Sequence, residues 1–292
     1  MKIYNFCVIG GDFRTIACSN KLAGLGNNVK VFGFDDTSSF DEKITITSDI
    51  KESLNDAQYV LLPLPYSSSN GVISAPLFKK KIEIDELISH LDSRQTILAG
   101  KIDDSLSSVL DARKIKYFDY FNCEDFSVKN AVPTAEGAIE IAIRELPITL
   151  SGSNCLVTGF GRISKLLSSL LKSFGAHVTV SARRHSDIAW ITAMGYEALY
   201  INELSDSIHK YNVIYNTVPH KIFHKELLKK INKDCLLIDL ASKPGGVDFD
   251  AAQKLGLNII WALSLPGKVA PLTAGEIITD TVLNIIKEQE VK

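Results

Sequence analysis

Two glycines and a serine, in the order Gly159-Phe160-Gly161-Arg162-Ile163-Ser164, stand between an apolar run over 154–158 and an apolar-periodic stretch over 163–174. A glycine at the first position permits a tight strand-to-helix turn, and one at the second lets backbone approach a bulky anion. The helix that follows offers N–H groups and the positive end of its dipole to that anion. Ser164 replaces the third glycine and is small enough for close helix–strand packing. Such a spacing alone is weak, but here a strand and a helix flank it. The ligand it fits is the pyrophosphate of a dinucleotide, with Gly159, Gly161, Arg162 and Ile163 as its contacts.

The end of the next strand-like run carries Ser181-Ala182-Arg183-Arg184. An NAD enzyme places a carboxylate there, about 20 residues past the glycines, for the ribose 2′-hydroxyl. Two guanidinium groups instead pair with a 2′-phosphate. The reading is NADP(H) in preference to NAD(H), with NAD possible. Asn216-Thr217-Val218-Pro219 follows a later strand of the same half. It is expected to border the nicotinamide ribose, because ligands in such sheets lie beyond the carboxyl ends of strands.

The first half has its own strand-to-helix turn, Gly10-Gly11-Asp12-Phe13-Arg14. It lacks the dinucleotide spacing, and Asp12 puts negative charge where a pyrophosphate must sit. Asp12 reads better as a helix N-cap, and the half as a substrate or cap domain. Basic groups suited to an anionic substrate are Arg14, Lys268 in Leu265-Pro266-Gly267-Lys268, and Lys243 after a strand end, which is also the catalytic candidate because its segment is expected beside the nicotinamide. Thr134 and Glu136, near the start of a helix read from Pro133, are candidates for binding substrate or taking a proton, with helix capping as the competing reading. Gly11, Asp12 and the serines Ser67, Ser68 and Ser69 are further candidate donors and contacts. His220 and His224 lie four apart, but no carboxylate or cysteine supports them at metal-ligand spacing, so no metal is expected.

These residues need elements to hold them, and the chain alternates strand-like and helical patterns twice. Strands are predicted over 3–9, 29–34, 58–62, 96–99 and 116–119, then over 155–158, 178–181, 213–216, 236–240 and 258–261. Near-continuous apolar runs of this kind belong to parallel sheets covered on both faces. The expected fold is α/β, with two Rossmann-like, doubly wound parallel-sheet domains and a cleft between them. Boundaries are placed at 1–131 for the first domain and 132–150 for a connecting helix over 133–146, with Pro133 in its first turn. The NADP-binding domain is then 151–272, and a C-terminal helix occupies 273–292. At 292 residues the chain exceeds one ordinary core, which agrees with two domains.

Composition excludes several partners. The 32 basic and 34 acidic residues are spread without a basic block, so nucleic acid is not expected. No apolar run approaches the roughly 18 residues of a membrane span. Five scattered cysteines read as reduced, buried thiols, which fits a cytoplasmic protein.

Several separated motifs resemble the family of the dipicolinate synthase A chain along nearly the whole sequence. They are Ile9-Gly10-Gly11-Asp12-x-Arg14, Leu62-Pro63-Leu64-Pro65 with Gly71-Val72, and Val132-Pro133-Thr134-Ala135-Glu136-Gly137-Ala138. Gly159-x-Gly161-Arg162, the stretch from Asp239 to Phe249, and that from Leu265 to Gly275 complete the set. The resemblance implies NADP- or NAD-linked oxidation of dihydrodipicolinate, a small dicarboxylate of the lysine and diaminopimelate route, to dipicolinate. It also implies the flavoprotein-like B chain of dipicolinate synthase as partner, work in the mother cell during sporulation, and an architecture similar to D-2-hydroxyacid dehydrogenases. A homo-oligomer is expected. Lys243 stands where an arginine is common in the family. It keeps the charge and loses the bidentate fork. Two other readings are a different NADP-linked dehydrogenase of this architecture and a protein that senses NADPH while its partner does the chemistry. No His–carboxylate pair typical of hydroxyacid oxidation is visible, which weighs against a simple hydroxyacid dehydrogenase.

Overall fold

The computed structural model describes residues 2–69 and 71–291, the side chains of Ser68 and Ser69 apart. The chain divides into two compact units. One runs to Lys129 and resumes at Ala270, and the other is Asn130–Val269.

In the first unit the chain order is β1 (Asn5–Ile9), α1 (Phe13–Gly24), β2 (Asn28–Phe32), β3 (Thr45–Ile46), α2 (Ile50–Leu54) and β4 (Tyr59–Leu61). A hairpin of β5 (Ser67–Ser69) and β6 (Val72–Ile73) follows, then α3 (Ile84–His90), β7 (Thr96–Ala99), α4 (Asp104–Ala112) and β8 (Lys116–Asp119). The six-stranded sheet has the order β3-β2-β1-β4-β7-β8, all parallel. Apolar clusters cover both of its faces, one around Phe6, Val8 and Leu61 and the other around Cys7, Ile9 and Val60. Successive residues of β1 and β4 thus point to opposite cores, which is why these strands read as unbroken apolar runs.

The chain passes from the first unit to the second along α5 (Glu124–Glu145), a helix of 22 residues. The sequence placed its start at Pro133, and the structure corrects this. Pro133 lies inside the helix, which begins a little over two turns earlier with Glu124 and Asp125 in its first turn. Proline removes one N–H and disfavours helix for the residue before it. Packing outweighs that cost: Phe126 is buried in the first unit's core, and Ala135, Ala138 and Ala142 are fully buried in the second's.

The second unit repeats the pattern: β9 (Asn154–Thr158), α6 (Arg162–Ser173), β10 (His177–Ala182), α7 (His185–Ala193) and β11 (Glu197–Tyr200). It continues with α8 (Leu204–Ser207), β12 (Val213–Asn216), α9 (Lys225–Leu228), β13 (Leu236–Asp239), α10 (Phe249–Lys254), β14 (Asn258–Trp261) and α11 (Leu265–Val269). Strand order is β11-β10-β9-β12-β13-β14, again all parallel. The order reverses between β9 and β12, so the crevice beyond their carboxyl ends is where a doubly wound sheet binds ligands.

The chain then returns to the first unit as α12 (Pro271–Glu290), with Pro271 at the first helical position. Ile277, Ile278, Val282, Ile285 and Ile286 enter the first core. The contact with α1 is close: a Cβ on Gly275 would lie 2.4 Å from the Arg14 carbonyl and 2.6 Å from the Ala17 Cβ. Strands β3 and β11 and the hairpin were absent from the sequence reading. β3 is two exposed residues, too short to show a pattern.

Candidate functional site

The glycine turn forms as its residue types dictate. Gly159 sits at φ +91°, and a Cβ there would meet the Thr217 hydroxyl at 2.7 Å. Its N–H donates to the Ser181 carbonyl at 2.8 Å, tying the turn to the end of β10. Ser164 is fully buried, and its hydroxyl donates to the Gly159 carbonyl at 2.6 Å. Gly161 caps α6 at φ −90°, a conformation open to any residue, and a Cβ there would meet nothing within 4 Å. The protein's own packing therefore does not require glycine at 161. What glycine leaves is open space over the start of a 12-residue helix that has no side-chain cap and no acidic residue in its first turn. That cradle fits a pyrophosphate held on backbone N–H groups. Arg162 opens α6, and Ile163 packs against the unit's core beside it.

β10 ends at Ala182, so Arg183 and Arg184 emerge where the sheet meets α7, both exposed. Neither guanidinium has an ion pair among the described residues. Ser181 is fully buried, and its hydroxyl has no hydrogen-bond partner among the described residues. Tyr200, at the end of β11, shares a 2.7 Å hydrogen bond with His185 Nδ1 at the same corner.

Asn216 ends β12 with no exposure. Its Oδ1 accepts from the Thr158 hydroxyl at 2.6 Å and from the Val218 N–H at 3.1 Å, while its amide donates to the Asp239 carboxylate at 2.7 Å. Thr217 donates its hydroxyl to the Thr158 carbonyl at 2.7 Å. The 216–219 turn, with Val218 and Pro219, is thus fastened to the glycine turn. Past Pro219 it borders a cavity of about 470 Å³ shared with Pro244, Gly245 and Phe249. Lys243 lies in that neighbouring 241–246 loop, exposed and with no ion pair among the described residues. Sequence reasoning missed Thr158 and gave Asp239 no role. A carboxylate closing the apolar run Leu236-Leu237-Ile238 was the available signal, since buried charge needs partners.

Other candidates are placed elsewhere. Glu136 is not near a helix start, because α5 begins at Glu124. It is exposed and lines a groove with Ile139, Ile143, Leu170 and Phe174, at the end of α6 away from the glycine turn. The Thr134 hydroxyl donates to the Asn130 carbonyl within α5 at 2.8 Å. Lys268 is exposed on α11.

In the first unit Gly11 has φ +108°, and a Cβ there would collide with Thr15 Oγ1. Asp12 caps α1 by accepting from the Arg14 N–H at 3.0 Å. The Arg14 guanidinium forks onto the same carboxylate at 3.0 and 2.7 Å and reaches the Leu64 carbonyl at 2.6 Å. Asp12 and Arg14 therefore neutralise each other, with Arg14 only 12% exposed. The Ser67 hydroxyl donates to the Val72 carbonyl in the hairpin at 2.7 Å.

Two parallel, doubly wound sheets, the second with an open glycine cradle, define the class: a two-unit α/β protein of the dehydrogenase type with a nicotinamide-nucleotide-binding domain. Comparison with known proteins agrees. Residues 5–121 match the N-terminal domain of the dipicolinate synthase A chain, and residues 134–251 match the NAD-binding domain of D-isomer-specific 2-hydroxyacid dehydrogenases. The dipicolinate synthase A chain of Bacillus subtilis (strain 168) is 30% identical over 96% of this chain and 95% of its own. This protein belongs to the dipicolinate synthase A-chain family. The crystal structure of the A chain from Bacillus halodurans superposes with a TM-score of 0.90 at 28% identity, over 97% of each chain. That from Bacillus subtilis gives 0.89 at 28% identity, over 100% of this chain and 98% of that one.

Proposed function

We propose that this protein binds NADP in its second unit and uses it to oxidise a dihydrodipicolinate ring to dipicolinate. The observation that carries the reading is Gly161. Glycine there serves neither backbone conformation nor packing, and its open cradle faces the uncapped start of α6. Arg183 and Arg184, exposed and without an ion pair among the described residues, support NADP over NAD, since each offers charge-assisted donors to a 2′-phosphate.

When bound, the nicotinamide supplies a hydride acceptor. Oxidation removes two hydrogens from the ring: one leaves with its electron pair as hydride, the other as a proton, and the ring becomes aromatic. Aromatisation favours the product, so the chain mainly has to orient the ring and exclude competing reactions. Lys243 is assigned to a ring carboxylate because its loop lies beside the 216–219 turn. Lys268 is assigned to the same anion by charge. Gly11, Asp12, Arg14 and Ser67 are assigned to substrate in the first unit by position, with Arg14 acting as the Asp12 pair rather than as a free cation. Thr134 has its hydroxyl bonded within α5, and Glu136 lines the α5–α6 groove, so neither is assigned the proton.

The names of the relatives imply a second polypeptide, and the proposal includes one. The test is turnover of dihydrodipicolinate followed at 340 nm, with this protein alone and with its partner polypeptide. NADPH formation by this protein alone makes it the dehydrogenase. NADPH binding without turnover in either mixture makes it a sensor. Turnover only of a 2-hydroxyacid rejects the ring substrate.

A further inference from the structure

Asp239 ends β13 with no exposure, among the apolar side chains of the second sheet. A buried carboxylate persists only when its charge is met by donors. Here Oδ1 accepts from Asn216 Nδ2 at 2.7 Å and from the Ala241 N–H at 3.1 Å, and Oδ2 accepts from the Gly246 N–H at 2.8 Å. Two of these donors are the backbone at either end of the 241–246 loop. The third is the side chain that also holds Thr158, the last residue before the glycine turn.

The loop closes tightly over the carboxylate. A Cβ on Gly246 would lie 2.1 Å from Asn216 Nδ2, and one on Gly245 would lie 2.9 Å from Asp239 Oδ2. A second tether comes from Trp261, whose Nε1–H donates to the Ala241 carbonyl at 3.0 Å while its ring stacks on Phe249 at 4.8 Å. A series of bonds thus runs from the pyrophosphate turn through Thr158, Asn216 and Asp239 to the loop that carries Lys243.

We propose that Asp239 is a positioning residue: it sets the Lys243 loop against the glycine turn, so its loss lowers turnover while coenzyme binding survives. The inference rests on the functional reading above for its kinetic part only. A loop held at both ends by one carboxylate, itself fixed by Asn216, has few alternative positions. Asparagine at 239 would turn an amide N–H toward one of those donors, release that end and let the loop shift. A displacement of about 1 Å at a reacting centre is enough to cost turnover about a hundredfold.

The protein has two tryptophans, so a Trp190→Phe background leaves Trp261 as the sole reporter of the loop. In that background Asp239→Asn is expected to keep NADPH affinity within about threefold, to lower kcat about tenfold or more, and to red-shift the Trp261 emission. Thr158→Val, which cuts the relay at its other end, is expected to move both readouts in the same direction but less. It also serves if Asp239→Asn does not fold. Unchanged emission and kcat in a folded Asp239→Asn protein would overturn the proposal, as would a loss of NADPH affinity equal to the loss of kcat. The emission readout needs no substrate. A parent protein without turnover, alone and with its partner polypeptide, therefore refutes the functional reading, and the variant's emission still decides the tether.

Discussion

The Ser164 hydroxyl donates to the carbonyl of Gly159 at 2.6 Å, so the third position of the glycine motif is bonded to the first. Serine here is more than a small substitute for glycine. It closes the turn across the start of α6 from a site with no solvent exposure. Ser164→Ala leaves that carbonyl without its side-chain donor. The expected cost is about 1 kcal/mol of stability with a fewfold loss in NADPH affinity. Thermal melts and fluorescence titration check both, and an unchanged melt would show the bond to be idle.

The proposed preference for NADP over NAD rests on Arg183 and Arg184. Replacing both with alanine is expected to weaken NADPH at least tenfold, about 1.4 kcal/mol, and to leave NADH within about threefold. Titration of each nucleotide against the double variant is the measurement. Parallel losses for both nucleotides would remove the 2′-phosphate assignment.

Glu197 at the start of β11 has a carboxyl held below its usual range, chiefly by the Lys210 ammonium and then by the Thr179 hydroxyl. A depressed folded value stabilises the native state fully above the unfolded carboxyl value near ~4.3 and fades as pH falls through the folded one. The pair is largely exposed, so its effect is small. Glu197→Gln is expected to lower the melting temperature by about 1 °C at pH 7 and to have no effect near pH 3. A difference that persists at the acid end would point to packing instead.

The cysteines differ in access. Burial pushes the Cys7, Cys18 and Cys235 thiols up to about 12, and it raises Cys155 as well. Cys123 is also raised by burial but is half-buried, beyond the end of β8. At pH 8 an aromatic disulfide reagent is expected to modify Cys123 slowly and the other four only after unfolding, because the thiolate is the reactive form. Mass spectrometry of the labelled native protein tests this, and fast native labelling of Cys18 would contradict the packing of α1 on α12.

The amino-acid order by itself determined the architecture and the strand–glycine turn–helix unit of the second half. Apolar runs such as 236–239 and 154–158, broken by Gly159-x-Gly161 and by Gly10-Gly11, carry their signal within about five to twenty neighbouring residues, and here packing reinforces it. The same locality made Arg183 and Arg184 legible, because they follow the next strand directly. Tertiary structure alone decided three other things. Pro133 lies in mid-helix because Phe126 before it and Ala135, Ala138 and Ala142 after it find cores to fill. Arg14 is spent on Asp12 and Leu64. Asp239, Asn216 and Thr158 meet although Thr158 and Asn216 are 58 positions apart. A hydrogen bond depends on where two strand ends arrive, and the sheet order that brings β9, β12 and β13 side by side is settled by packing the whole unit, not by any stretch of its sequence.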